Sequence, residues 1–202
     1  MNVNNHRLMQ DDGSPVSFTP SPSIGSAVSP LYLIIHYTAG RDFKSSVSWL
    51  TNPKANASAH LVIGRDGQVE QLVPFNRIAW HAGKSKWGEL EGMNRYSIGI
   101  ELDNAGRLNR NGQGKWSAWF GETYDDKDVI QMVHKHEVSP AGWHTYTQVQ
   151  METLIAVATA LNERYRFAEI LGHDDVAPGR KSDPGPAFPM TSFSSIVLGR
   201  RD

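Results

Sequence analysis

The chain has 202 residues, 39% of them hydrophobic and 20% charged, with 20 Lys and Arg set against 21 Asp and Glu. That length suits one domain with a sizeable core, and a formal charge of −1 excludes a general electrostatic pull toward nucleic acid, so no nucleic-acid partner is expected. There is no cysteine, which removes disulfides and thiolate ligands, and the longest apolar run, residues 31–35, is far short of the roughly 18 residues a membrane span needs, so none is expected.

Residues 1–7 lack an apolar h-region, so no signal peptide is read there. A chain without cysteine suits reducing and oxidising surroundings equally, which leaves the compartment open between the cell envelope and the cytoplasm. Residues 10–30 are rich in Ser and Pro, a composition that buries little apolar area, and residues 1–30 read as a tail or linker ahead of a domain at 31–202.

The domain opens with the apolar strand 31–36, which ends on His36, and a short helix at 43–50 that Pro53 would stop. Two alternating runs, 60–63 and 68–73, flank Asp66-Gly67 and predict a hairpin. Residues 97–102 read as a buried central strand with Glu101 near its end. Thr147 and Gln150 form a capping-box pattern that starts a helix running to about Arg166, with Met151, Leu154, Ile155, Ala158, Leu161 and Tyr165 on one face. A strand at 169–171 delivers His173. Strands interleaved with helices predict the α/β class, a single domain with a mixed central sheet and helices packed on it, and no internal repeat is visible.

The loop 172–185 carries His173, Lys181 and Asp183 between Pro178, Gly179, Pro184 and Gly185, residues that hold a loop in one shape and so aim its side chains. His and Asp are zinc ligand types, and a catalytic zinc commonly has three protein ligands with water in the fourth position. The best candidate for the third is His36, at a strand end where open sheets place their ligands. A lone His is more often a surface or core residue, so the spacing alone decides little.

Four segments together are more specific: His36-Tyr37-Thr38-Ala39-Gly40, Trp80-His81-Ala82-Gly83, Ser97-Ile98-Gly99-Ile100-Glu101-Leu102 and Gly179-Arg180-Lys181-Ser182-Asp183-Pro184-Gly185. In this order, within residues 31–190, they resemble the zinc-dependent N-acetylmuramoyl-L-alanine amidases of the type-2, peptidoglycan recognition protein-like superfamily. The resemblance implies one zinc per chain on His36, His173 and Asp183, Glu101 as the base for the attacking water, and Lys181 as the group that stabilises the oxyanion. It further implies substrate contacts from Trp80, His81 and Asn94. Arg180 reads either as a partner for a substrate carboxylate or as a brace for its loop, and His60 as a packed residue at least as often as a substrate contact. Some relatives carry a Tyr just before that His and use its hydroxyl near the metal; Ala59 stands there, so the base assignment rests on Glu101.

The implied activity is hydrolysis of the amide between N-acetylmuramic acid and L-alanine in peptidoglycan or muropeptides, by a monomer. A peptidoglycan-binding module of the same fold is the rival, and a structural zinc protein is weaker, because structural sites close their fourth position with a protein ligand. Residues 104–147, with Trp116, Trp119, Phe120 and Tyr124, are long enough to be functional and read as an insertion walling the substrate groove, against the rival of a satellite hydrophobic cluster. His134 and His136 would share a strand face and could hold a second metal, but no third ligand is evident.

Overall fold

Side-chain alternation along the strand Tyr32–Tyr37 decides how the molecule is layered. In the computed structural model, which describes residues 1–199, Leu33 and Ile35 point to one face of the sheet and Ile34 to the other. The neighbouring strand Ser97–Leu102 sends Ile98, Ile100 and Leu102 to the first face, leaving Gly99 and Glu101 on the second.

These strands are the centre of a six-stranded mixed sheet ordered Glu169–Gly172, Tyr32–Tyr37, Ser97–Leu102, Leu61–Ile63, Val69–Gln71, Ser17–Phe18. The first four strands run parallel, as runs apolar on both faces do; Leu61–Ile63 and Val69–Gln71 form the expected antiparallel hairpin, and Ser17–Phe18 lies parallel to Val69–Gln71 at the edge.

The first face is covered by the helices Gln148–Tyr165 and Met190–Leu198. Their Leu154, Val157, Ala158, Leu161, Phe193 and Val197 share one core cluster with the strand residues. The Leu, Val and Phe side chains among them, buried this fully, contribute roughly 1.5–3 kcal/mol each. The other face is covered by the helix Phe43–Leu50, through Leu50 with Phe43 and Val47 packed beside it, and by the segment around Ala82 and Met93. Thr147 caps the long helix by accepting the Gln150 N–H at 3.2 Å. The predicted box is half made: Gln150 turns its side chain into the core, donating to Ile63 O and Asp103 O.

Residues 1–30 are not a tail. Asn2–Asn4 and Arg7–Met9 pair as a hairpin, Leu8 and Val16 belong to the main core, and Ile24–Ala27 pairs with Arg77–Ala79. The Gln71 side chain ties this segment down, accepting from Leu8 N–H and Arg7 Nε and donating to His6 O. Ser/Pro-rich composition misleads here because the segment is held by backbone pairing and two buried apolar residues, neither of which shows in an average over residues.

Residues 104–147 form a second, antiparallel sheet ordered Thr123–Tyr124, Trp116–Ser117, Arg107–Arg110, Pro140–His144, Val129–Val133. Among the described residues no helix is long and apolar enough to cross a membrane.

Candidate metal centre and cleft

Three chain segments bring the expected donors together at the carboxyl end of the parallel strands. His36 is the penultimate residue of its strand and lies in register with Glu101; His173 immediately follows Gly172, itself in register with Ile35. Asp183 returns on the loop, where its carbonyl accepts the Asp174 N–H at 2.8 Å. His36 Nδ1, His173 Nδ1 and Asp183 Oδ2 then form a triangle 2.9 Å on each side, with all three residues buried.

The hydrogen bonds around the triangle say which ring nitrogens carry hydrogen. His173 Nε2 faces Ala82 O at 3.1 Å, and a carbonyl only accepts, so Nε2 donates. Ser97 Oγ donates to Met93 O at 2.7 Å and is therefore the acceptor for His81 Nε2 at 3.3 Å; His81 Nδ1 is left to accept from His36 Nε2 at 2.9 Å. Burial, then the neighbouring His173, lowers the His36 pKa to about 4, and burial holds His81 lower than its ordinary value as well, so both rings are neutral. Protons run outward along His36, His81, Ser97 and Met93.

The consequence is a fit test for a cation. His36 Nδ1, His173 Nδ1 and a carboxylate oxygen face one another, and with the second nitrogen of each ring given to a partner all three can offer lone pairs to a positive ion set among them. Zinc bonds of about 2.0 Å at tetrahedral angles separate ligand atoms by roughly 3.3 Å, close to the 2.9 Å found. Each histidine's second nitrogen is already fixed by a partner, as metal-ligating histidines require. The residues fit a zinc-type ion.

Glu101 lines the same cleft, and its Oε2 is buried with no hydrogen-bond partner among the described residues. Burial and then the nearby Asp183 push its carboxyl well above the usual carboxylate range, opposed by Lys181. A buried acceptor left without a partner costs about 1–3 kcal/mol and marks a group held for something other than stability. Gly99 explains how the relay fits against the sheet: a Cβ there would lie 2.4 Å from the His81 ring. Tyr37 extends the floor, its hydroxyl 2.8 Å from Ser182 Oγ and its ring over Gly106, where a Cβ would lie 2.4 Å away; burial raises this phenol to about 12, so it stays protonated.

The cleft has a volume of about 750 Å³. Tyr37, Glu101, His173, Lys181 and Asp183 form its floor region, Trp80, His81 and Arg180 line it from one segment and the metal loop, and Trp49, Trp119 and Phe120 line it from elsewhere. Of the residues expected to meet substrate, Trp80 is exposed at the cleft and His81 borders it while serving as the partner of His36. His60 does not reach the cleft: it is fully buried, its Nε2 donating to Arg77 O and its Nδ1 accepting from Gly99 N–H. Asn94 also stands outside the lining; its Oδ1 accepts from the N–H groups of His81 and Ala82 and so shapes that turn. Arg180 is occupied as a brace, donating from NH2 to Ala82 O and Lys84 O, both at 2.7 Å.

The insertion divides in two. Trp119 and Phe120 reach the cleft, whereas Trp116 is buried with Ala105, Leu108 and Ala118, and Tyr124 packs beside them, so for these two the packing reading holds. Among the described residues the group of donors able to hold a metal is His36, His173 and Asp183, and His134 and His136 are engaged elsewhere. His134 Nε2 lies 3.0 Å from Asp174 Oδ2, His136 Nε2 donates to Asp174 O, and Lys135 pairs with Asp174 and Asp175, so this hairpin grips the start of the metal loop. Trp143 completes the grip, packed so closely on Gly185 that a Cβ there would lie 2.8 Å from the indole. Sequence reasoning gave Ser97, Tyr37 and Asp174 no role of their own in the site, and read His134 as a possible ligand of a second metal rather than as a partner of Asp174. Only Gly99 gave a signal, since a glycine inside a buried strand often marks close approach.

Comparison with known proteins places this arrangement. The Amidase_2 family, described as N-acetylmuramoyl-L-alanine amidase, matches residues 26–186. The 1,6-anhydro-N-acetylmuramyl-L-alanine amidase AmpD of Enterobacter cloacae is 35% identical over 147 residues, 72% of this chain; the chain spans 59% of that relative's length. Among solved structures, a selenomethionine AmpD derivative superposes with a TM-score of 0.69 at 27% identity, covering 98% of this chain and 99% of that one. The Escherichia coli amidase AmiD, in complex with anhydro-N-acetylmuramic acid-L-Ala-D-γ-Glu-L-Lys, gives 0.62 at 28% identity, covering 95% and 66%. With a family match over most of its length and the fold to accompany it, this chain belongs to the N-acetylmuramoyl-L-alanine amidase family.

Proposed function

We propose that this protein is a monomeric zinc hydrolase that cleaves the amide between N-acetylmuramic acid and L-alanine in peptidoglycan or muropeptides, with one zinc on His36, His173 and Asp183. The observation that carries the reading is the convergence of two imidazole nitrogens and a carboxylate beside the unpartnered buried Oε2 of Glu101. The related AmiD, solved with an anhydromuramyl peptide, supports a substrate of that class.

Zinc bound there would polarise the scissile carbonyl and bring the pKa of a water near 7. Glu101 takes the proton of the attacking water and passes it to the leaving amine, through a carboxyl oxygen that no other group occupies. Lys181, on the cleft two residues before Asp183, offers its ammonium to the developing oxyanion. Ala82 O, Asn94 and Arg180 hold the ligand loop and the His81 segment together, so the donors are in place before substrate arrives.

A binder of the same fold gains nothing from a buried unpartnered carboxylate. The test is mass analysis of products from sacculi and from a soluble muropeptide, with metal analysis of the same samples. Glu101→Gln should keep zinc and lose 10²–10⁴-fold in turnover, about 3–5 kcal/mol of barrier, and Lys181→Met should behave similarly. Wild-type protein that holds zinc and binds these substrates without releasing peptide would establish the binder instead.

A further inference from the structure

Three tryptophans line the cleft that holds the metal donors: Trp49 from the helix Phe43–Leu50, Trp80, and Trp119 from the insertion. They are 57%, 40% and 80% exposed. Indoles carry the largest apolar faces available to a protein, and several left in water around one opening mark a binding surface rather than scattered surface residues.

Trp119 is exposed but anchored. Its Nε1–H donates to Ala39 O at 2.8 Å, in the turn that follows His36, and its ring meets Phe120 edge to face with centroids 5.7 Å apart. The bond ties the insertion to the end of the metal-ligand strand and holds an open indole face in one orientation before anything binds. The cleft lining also carries hydroxyl-bearing residues, Thr38, Ser45 and Ser182, together with the Arg41 guanidinium. A pyranose ring presents an apolar C–H face and a rim of hydroxyls, so it needs this mixture; a purely apolar ligand would meet too many polar groups. The 750 Å³ of the cleft lies in the upper part of the roughly 300–1,000 Å³ range that encloses a whole drug-sized ligand, which leaves room beyond the single sugar at the scissile bond.

We propose that Trp119 and Trp49 are stacking platforms for sugar rings of a glycan strand, making polymeric peptidoglycan a better substrate than a single muropeptide. This rests on the amidase reading for the identity of the glycan. It does not rest on it for the binding itself, so the two can fail separately.

The experiment has two arms. In the first, holoenzyme is titrated with glycan strands from which the peptides have been removed, and tryptophan fluorescence is followed; quenching that saturates is expected, and weaker by roughly 2- to 10-fold in Kd for Trp119→Ala and for Trp49→Ala. In the second, kcat/KM is compared on sacculi and on a monomeric muropeptide, and each variant should lose several-fold more on sacculi. Trp119→Phe, which keeps a ring face but loses the bond to Ala39, should retain most of the sacculus activity; a loss equal to that of Trp119→Ala would mark the residue as a brace and overturn the platform. So would equal losses on both substrates, or absence of binding of peptide-free glycan to the wild type. Glycan binding without cleavage of any amide would uphold the platforms while removing the amidase reading.

Discussion

The floor of the cleft and the insertion that rises beside it are built on opposite plans. At the floor, His36 and Glu101 sit in register on adjacent parallel strands, His173 follows the end of a third, and the His36 ring is oriented by a chain of hydrogen bonds that ends on a backbone carbonyl. The insertion has its own small sheet and meets the floor through a few side-chain contacts: His134 and Lys135 on Asp174, Trp143 on Gly185, and Trp119 on Ala39. Of the three donors, His36 is carried by the ladder itself, while His173 and Asp183 are fixed just beyond it by the Asp174 N–H to Asp183 O bond and by Ala82 O. The cleft-facing indole of the insertion is mounted on a separate small sheet and tied to the floor by one hydrogen bond.

The comparison breaks most completely if the donors are not one unit. His173→Ala should abolish both bound zinc and hydrolysis, because two remaining ligands hold the ion poorly; elemental analysis that finds a full zinc complement in that variant would remove the ligand assignment. Within the insertion, the buried and exposed indoles should part company. Trp116→Ala should cost about 3–5 kcal/mol of folding stability, since it empties the centre of the second sheet's cluster, whereas Trp119→Ala, 80% exposed, should cost under about 1 kcal/mol. Equal thermal shifts would show that the two halves of the insertion are not distinct.

A third outcome concerns acid. Burial lowers the His60 pKa to about 4, against about 6.5 in an unfolded chain. As pH falls below 6.5 the unfolded state takes up the proton and the folded state does not, so stability declines from pH 6.5 toward pH 4, by roughly 3 kcal/mol from this residue at the lower end. Denaturant titrations at pH 7, 5.5 and 4.5 should show this slope reduced in His60→Gln; an identical slope would mean His60 is not held neutral. The smallest effect sharpens the floor itself: His81→Ala removes the acceptor of His36 Nε2 and should weaken zinc binding 10–100-fold while the protein stays folded, as measured by chelator competition.

How much of this was readable in the chain differs from residue to residue. Apolar runs ending on His36 and Glu101, the hairpin at Asp66-Gly67 and the helix at Phe43–Leu50 stand as predicted, because each depends on periodicity and local turn chemistry over fewer than ten residues. Residues 1–30 are ordered where their composition predicts a tail, because strands some fifty residues away pair with them. His60 reads from the sequence as packed or substrate-facing and Asn94 as substrate-facing, and the choice is settled by burial and hydrogen-bond direction, which depend on neighbours that sequence order does not reveal.

By itself, the sequence determined the class of fold, the strand ends that carry His36 and Glu101, and the loop that carries His173, Lys181 and Asp183, since these follow from residue type and local spacing. Only the tertiary structure decided that three donors 10 to 147 positions apart meet within 2.9 Å, that His81 and Ser97 set the tautomer of His36, and which indoles of the insertion face the cleft. Those outcomes depend on how the sheet is ordered and on what packs against it, and closure of such distant contacts is a property of the whole chain rather than of any window within it.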